Sequence, residues 1–281
     1  MTLRAQYGTI LCDYMPIYTC CRKEFIVNSL AILILTKNEE INIVDVVRNA
    51  KKCTDEVVVI DSGSTDRTVE LAKAEGAHVA YRAWDDDFAA QRNFALEQTT
   101  ADWVLYLDAD ERLNDDLIAA IHQVLENDDM GAQFGIKRNM VFNGYHFHHG
   151  IFAPDTVYRM FPRTKVKWIS KVHEHPECSL SRKTLQGNIE HYTYNSWHQW
   201  LMKADYYTTI WAEEKYKQGK RVTLGTAFLH ASLGTLRALL IKCAFLDGWM
   251  GIISCVQHGF YTMLKYVKLY ELQMQNKGKK K

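Results

Sequence analysis

Four short, largely apolar runs set the strongest limit on what this chain can fold into: Leu30–Thr36, Glu56–Asp61, Ala77–Arg82 and Trp103–Leu107. Helical patterns fill the gaps between them, over 40–52, 65–75 and 87–98. In Leu30-Ala31-Ile32-Leu33-Ile34-Leu35 every position is apolar, so both faces of that strand must be covered by protein. Covered strands separated by helices predict an α/β fold with a mostly parallel, Rossmann-like sheet and right-handed crossovers.

In such sheets ligands bind outside the carboxyl ends of the strands. Polar residues collect at three of those ends: Asn38-Glu39, Asp61-Ser62-Gly63-Ser64-Thr65-Asp66 and Asp108-Ala109-Asp110-Glu111. Asp108-x-Asp110 after a buried strand suits a divalent cation that neutralises a leaving diphosphate, with Asp110 on the cation and Asp108 on the cation or a ribose. Asp61 ends a buried strand, where an unpaired carboxylate is costly, so a base or ribose partner would account for it. Ser64 or Thr65 reads as a helix N-cap, and Asp85-Asp86-Asp87 as a helix start rather than a metal site. Arg92, in Ala89-Ala90-Gln91-Arg92-Asn93, is placed for a phosphate or base contact, although a surface ion pair would leave the same trace. Glu174, in Val172-His173-Glu174-His175-Pro176, follows the sheet half where a general base would deprotonate an acceptor hydroxyl; an exposed loop acid is the plainer alternative. The histidines His146, His148, His149, His173, His175 and His191 pair with no cysteine, so structural zinc is disfavoured.

Beyond the first half, residues 132–192 carry short aromatic-rich strand patterns, and Ser196–Lys217 reads as one long amphipathic helix. After Gly219 come apolar stretches cut by Arg237, Lys242 and Asp247. Gly248–Leu264 is the longest stretch there without a charged residue. It is too short, and too rich in Gly, Gln257 and His258, to span a bilayer, so it is expected to lie in or on one. From Arg221 onward nine Lys and Arg face two acids, whereas the whole chain has a net charge of +1. An acidic body with a basic tail excludes a nucleic-acid surface built on net charge and favours an anionic membrane surface. The expected organisation is an N-terminal extension over 1–29, read as a disordered arm or a start artefact, then an α/β domain over 30–219. A basic amphipathic helical region over 220–281 completes it. Seven cysteines, odd in number and without a CxxC, fit a reducing cytoplasm. Arg4, Asp13 and Pro16 interrupt any signal-like apolar run.

In order, LAILILTKNEE, VVVIDSGSTDRT, AAQRNFAL, WVLYLDADERL, YRMFPR and KVHEH resemble glycosyltransferase family 2, over roughly residues 30–192. The tail FLDGWMGIISCVQHGFYTMLKYVKLYEL resembles a narrower branch, bacterial lipopolysaccharide inner-core heptose β-1,4-glucosyltransferases. This resemblance implies a GT-A fold and an inverting, in-line transfer of a sugar from a UDP-sugar, UDP-glucose first, with Mn²⁺ or Mg²⁺. It places Asn38 and Glu39 beside the nucleotide, Asp61 on uracil or ribose and Arg92 on the nucleotide. Asp108 falls on ribose or metal and Asp110 on the metal. Glu174 becomes the base, and Arg159 and His191 contact phosphate or metal. The implied acceptor is a lipid-anchored saccharide of the lipopolysaccharide core, met by a peripheral enzyme on the cytoplasmic face of the inner membrane. A related transferase acting on a polyprenyl phosphate, a capsule sugar or a peptide would share the nucleotide half. A non-catalytic membrane adaptor would be expected to have lost some of Asp61, Asp108, Asp110 and Glu174, and all four are present.

Overall fold

A computed structural model describes residues 28–127, 129–170, 174–194 and 196–278 of the 281. The first strands are β1 (Leu30–Thr36), β2 (Glu56–Asp61), β3 (His78–Tyr81) and β4 (Trp103–Asp108), separated by α1 (Ile43–Ala50), α2 (Thr68–Ala74) and α3 (Phe88–Glu97). They pair in parallel in the order β3-β2-β1-β4, as the alternation predicts, with the first two strands bounded as read from the sequence. Next in the chain are β5 (Glu111–Leu113), α4 (Asp115–Asn127), β6 (Ala132–Phe142), β7 (Tyr145–His146), β8 (Asp155–Pro162), β9 (Lys167–Ile169), β10 (His175–Glu177) and β11 (Ser181–Tyr194). The sheet continues from β4 through β8, β6 and β11 to β5, with β8 antiparallel to both β4 and β6.

The uninterrupted apolar run of β1 has a direct structural reason. Ile32 and Ile34 pack on one side with Ile43, Val46 and Val47 of α1 and Leu117 and Ile121 of α4. Ala31 and Leu33 pack on the other with Ala89 and Ala95 of α3, Tyr106, Phe161 and Trp168. Each large side chain so buried contributes about 1.5–3 kcal/mol.

Residues 1–27 of the expected N-terminal extension lie outside the described residues. Asn28 and Ser29 do not belong with it. Asn28 is buried and its Nδ2 donates to the Leu125 carbonyl at 3.1 Å, and the Ser29 amide and hydroxyl donate to Asp102 at 2.9 and 2.7 Å.

Helix α5 (Trp197–Lys217) is capped by Ser196, whose hydroxyl accepts from the Gln199 amide. Helices α6 (Leu224–Leu236) and α7 (Gly248–Gly278) run antiparallel, joined through a π-helical turn over Arg237–Ile241 and a 3₁₀ turn over Ala244–Asp247. Close approach there is enforced by glycine. A Cβ on Gly259 would lie 2.3 Å from Thr235 Oγ1, and one on Gly251 only 1.8 Å from the Ala244 carbonyl oxygen. The expected boundary at 219/220 does not separate α5 from the two helices after it. Lys268 of α7 donates to Asp205 Oδ1 at 2.7 Å and Thr209 Oγ1 at 2.6 Å on α5, and Trp211 meets Tyr266 edge-on at 5.2 Å. The hairpin tip is fixed to the sheet half. Buried Asp247 accepts from the His148 and His149 amides at 2.9 Å and meets His149 Nδ1 at 2.8 Å, while the Gly150 amide donates to the Lys242 carbonyl. The helical stretch Leu224–Ile241 is long and apolar enough to cross a membrane by length and composition, with a mean hydropathy of 1.4. That stretch, rather than Gly248–Leu264, carries the strongest apolar signal.

Candidate active site

The carboxyl ends of β1, β2 and β4 open onto a cleft of about 480 Å³ that contains Glu39, Arg92, Asp108, Asp110 and Glu174. Trp84 and Phe88 form one wall, their rings edge-on at 4.5 Å, and Tyr207 of α5 reaches in from the helical region.

Arg92 owes its position to the residues around it. Asn93 exchanges two 2.8 Å hydrogen bonds with the backbone of Trp168, which seats α3 on β9. The Trp168 ring then lies 4.7 Å from the Arg92 guanidinium and Tyr106 lies 5.6 Å from it. Arg92 is buried, and its Nη2 donates to Asp108 Oδ1 at 3.2 Å. Its Nε is 3.8 Å from Glu174 Oε1, beyond hydrogen-bond reach. Nε and Nη1 have no hydrogen-bond partner, as is also true of Thr36 Oγ1 on the same cleft. Unsatisfied donors on a buried cation call for an anionic ligand.

Asp108 is drawn between two guanidiniums. Arg159 Nη2 donates to its Oδ2 at 2.7 Å and also reaches Glu111 Oε1 at 3.3 Å. Burial alone would raise the Asp108 pKa, but Arg159 and Arg92 outweigh it and hold the carboxyl well below its ordinary range. Burial likewise works to lower the Arg159 pKa, and Asp108 and Glu111 reverse that to hold it above the ordinary value. Glu111, fully buried, accepts from the Asp108 amide at 2.9 Å and receives Arg138 at 3.5 Å. Arg159 is therefore committed to Asp108 in the cleft and to Glu111 beneath it, and does not itself line the cleft. Of the two aspartates, Asp110 is the one not bound by arginine. β11 pairs antiparallel with β5 so that His191 stands opposite Glu111, which leaves His191 Nε2 3.4 Å from Asp110 Oδ2.

The other expected site residues divide. Glu39 faces the cleft, its Oε2 accepting from Asn42 at 2.7 Å; burial raises its pKa, Asn42 opposes this and Asp110 adds to it. Asn38 does not line the cleft. Its backbone is left-handed (φ 55°), and its Oδ1 accepts from the Thr65 amide at 2.8 Å, tying the loop after β1 to the loop after β2. Asp61 is not unpaired, because it accepts from the Gly63 amide at 3.0 Å and from the Ser64 amide and hydroxyl. Ser64 and Thr65 are not the helix cap. The N-cap position of α2 is Arg67, without a side-chain cap, and Asp66 accepts from the Thr68 amide at 3.0 Å in the turn before it. Asp87 does cap α3, accepting from the Ala90 amide at 2.9 Å. Asp155, the carboxylate to test as base should Glu174 prove dispensable, is bound by Arg138 at 2.8 and 3.1 Å. Sequence reasoning missed the linking role of Glu111, whose signal was its place beside Asp108-x-Asp110. It also missed Trp84 and Phe88, spaced one helical turn apart, and Tyr207, for which no local signal exists.

Among the described residues no three His, Cys, Asp or Glu side chains form a self-sufficient metal cage. A cation that arrives with a diphosphate needs fewer protein ligands, commonly one or two carboxylates plus substrate phosphates. Asp110 with His191, each about one-fifth exposed (19% and 18%), fits that smaller set.

The glycosyl transferase family 2 profile matches residues 31–190, more than half of the chain, and the chain belongs to that family. Its mixed, mostly parallel sheet is the expected GT-A arrangement. An uncharacterized glycosyltransferase of Rickettsia typhi is 29% identical over 262 residues, 89% of each chain. The lipopolysaccharide core biosynthesis glycosyltransferase LpsC of Rhizobium meliloti is 26% identical over 251 residues, covering 86% of this chain and 92% of LpsC. Among solved structures, glucosyl-3-phosphoglycerate synthase from Mycobacterium tuberculosis is 23% identical and overlaps 42% of this chain and 45% of its own, with a TM-score of 0.34. An overlap that small supports no conclusion about this chain.

Proposed function

We propose that this family 2 enzyme transfers glucose from UDP-glucose, with inversion, to a lipid-anchored saccharide of the lipopolysaccharide core. The observation that carries the donor reading is the cleft itself, which gathers the Arg92 guanidinium with Asp108, Asp110 and Glu174 at the carboxyl ends of parallel strands. Mn²⁺ or Mg²⁺ held by Asp110 and His191 would supply the charge neutralisation that a departing diphosphate needs. Glu174 accepts the proton of the attacking hydroxyl, with Arg92 close enough to hold the carboxylate toward the cleft. Trp84 and Phe88 offer apolar surface for the base.

The likeness to LpsC supports a lipopolysaccharide core acceptor, and the apolar face of α6 supports one anchored in lipid. We place the enzyme peripherally on the cytoplasmic face of the inner membrane. Crossing the bilayer would require the hairpin tip to leave Asp247's three hydrogen bonds to His148 and His149.

The test is UDP release from a panel of UDP-sugars, with and without heptose-containing acceptor lipid. UDP-glucose with that lipid should give the fastest release, and Glu174→Gln should slow it about 100-fold while UDP still binds. Release only with a polyprenyl phosphate, a capsule saccharide or a peptide would move the acceptor assignment. No release from any donor would leave the non-catalytic adaptor.

A further inference from the structure

A path of adjoining clefts leads from the catalytic carboxylates to the helical hairpin. His191, beside Asp110, shares a cleft of about 210 Å³ with Ile151 and Phe152. Those two also line an aromatic cleft of about 170 Å³ with Tyr194, Trp200, His258 and Tyr261. Ile151 and His258 then continue into a third, of about 270 Å³, whose remaining walls are Gly234, Arg237, Ala238 and Lys242. We propose that Arg237, Lys242 and His258 bind the phosphate of an anionic lipid headgroup at this membrane-side end of the path. The proposal rests on the peripheral membrane reading and names the site through which it acts.

Three observations carry it. Arg237 stands apart from the other arginines among the described residues. Arg48, Arg67, Arg82, Arg92, Arg138 and Arg159 pair with carboxylates, Arg112, Arg163 and Arg221 donate to carbonyls, and Arg182 stacks on Tyr158. No side-chain hydrogen bond, ion pair or ring contact engages Arg237 or Lys242 among the described residues. Both line one pocket whose walls include no carboxylate, so an anion placed there would meet two positive charges. Second, the chain that carries these cations is apolar and exposed on either side of them. Leu236, Leu240, Ile241 and Phe245, next to Arg237 and Lys242 along the chain, are 51%, 59%, 75% and 48% exposed. A free phosphate would satisfy the cations and leave those side chains in water, whereas a lipid satisfies both. Third, the stems of Arg and Lys suit this boundary, since they cover apolar surface while the charged ends reach the headgroup level. His258 adds a ring nitrogen rather than a third charge, because burial and then Lys265 and Lys242 hold its pKa below the ordinary value.

The test is co-flotation of the full chain with vesicles of phosphatidylcholine alone and of phosphatidylcholine with phosphatidylglycerol. R237Q/K242Q should bind the phosphatidylglycerol vesicles about 30-fold more weakly than wild type, yet match it on phosphatidylcholine, where the apolar face acts alone. K52Q/K73Q removes the same charge from exposed positions beside α1 and on α2, and should bind like wild type. An equal loss in K52Q/K73Q would replace the pocket with diffuse attraction, and undiminished binding by R237Q/K242Q would overturn it directly. Inorganic phosphate, compared with chloride at equal ionic strength, should not release the protein; selective release would assign a free-phosphate site instead. Thermal melts check folding. If the double variant does not fold, K242Q alone, expected to bind about 5-fold more weakly, decides the matter. UDP binding by the wild type, followed by thermal shift, reports on the donor cleft separately, so either reading can fail while the other stands.

Discussion

Helix α1, of eight residues, and helix α6, of thirteen, solve opposite problems. α1 buries Ile43, Val46 and Val47 against the sheet and turns Asp45 and Arg48 outward. α6 buries Ala227 and Ala231 against α7 and turns Phe228, Leu229 and Leu233 outward, 61%, 58% and 56% exposed. Small residues inside let the α6 and α7 backbones approach closely, which is how helices pack where the surroundings are as apolar as they are. Phe228, Leu229, Leu233, Leu236, Leu240 and Ile241, each left half or more in water, together forgo roughly 5–10 kcal/mol. That approaches the whole stability of an ordinary domain. A soluble core helix is not built this way. The sheet half keeps its apolar side chains inside and opens a polar cleft at its strand ends, whereas the hairpin presents apolar surface to something outside the chain.

The contrast breaks first if the sheet half does not carry the chemistry. Asp110→Ala should lower turnover at least about 1000-fold, the scale of losing a metal clamp on a leaving diphosphate, with an unchanged melting temperature. Mn²⁺ alone should bind the wild type weakly and bind much more tightly once UDP is present, measured by calorimetry. Tight Mn²⁺ binding without UDP would mean a third protein ligand and a different site.

Next in size is the buried network beneath the cleft. Arg159→Met leaves Asp108 and Glu111 short of their principal partner, and should destabilise the fold by about 3 kcal/mol or more. The pH dependence has a definite sign. Asp108 is held below its ordinary carboxyl pKa in the folded chain, so its contribution is complete above about pH 4 and fades as pH falls toward the lower folded value. Urea midpoints of the wild type should therefore drop on acidification below about pH 4, and Arg159→Met should show a shallower acid slope. Equal slopes would remove Asp108 from the stability account.

A paired substitution tests the inside-out packing itself. Ile43→Ala should cost about 2–5 kcal/mol through a cavity in the sheet half. Ala231→Leu should cost about 1–3 kcal/mol through overpacking against α7, although it adds apolar surface. Tolerance of Leu at position 231 would mean that α6 is free to roll and that its assigned inner face is wrong.

These elements also show what was legible in the sequence. β1 and β2 could be bounded because burial on both faces writes an unbroken apolar run; Asp110 was expected at the cleft because strand ends concentrate polar chemistry, Glu174 because of its place in Val172-His173-Glu174, and both line it. The link from Arg159 to Asp108 was not legible, because it depends on β8 lying antiparallel beside β4, a pairing across fifty residues with no local trace. The roles of Ser64, Thr65 and Asp66 were interchangeable on paper, since all three types cap helices; in the structure none of them caps α2, and Ser64 and Asp66 accept from the Asn38 and Glu40 amides of the loop after β1. α6 is apolar on nearly every side, so periodicity could not say which face is inside. Its alanines answer that only once α7 is known to lie against them.

The smallest expected effect is the most direct test of what the hairpin faces. Leu233→Ser removes one exposed apolar side chain, so in solution it should change stability by no more than about 0.5 kcal/mol. A leucine in α1 could not be treated so lightly. If the α6 face meets lipid, the same change should weaken binding to phosphatidylcholine vesicles roughly 5- to 10-fold, in proportion to the apolar area withdrawn from the bilayer. UDP release with a soluble acceptor fragment should not change, because Leu233 has no part in the donor cleft. The competing occupant is a second copy of the chain, which would cover the same leucines. In that case Leu233→Ser would shift the wild type's sedimentation toward monomer and leave vesicle flotation as it was. The two occupants thus predict opposite pairs of results from one variant, and flotation with sedimentation on the same preparation decides between them.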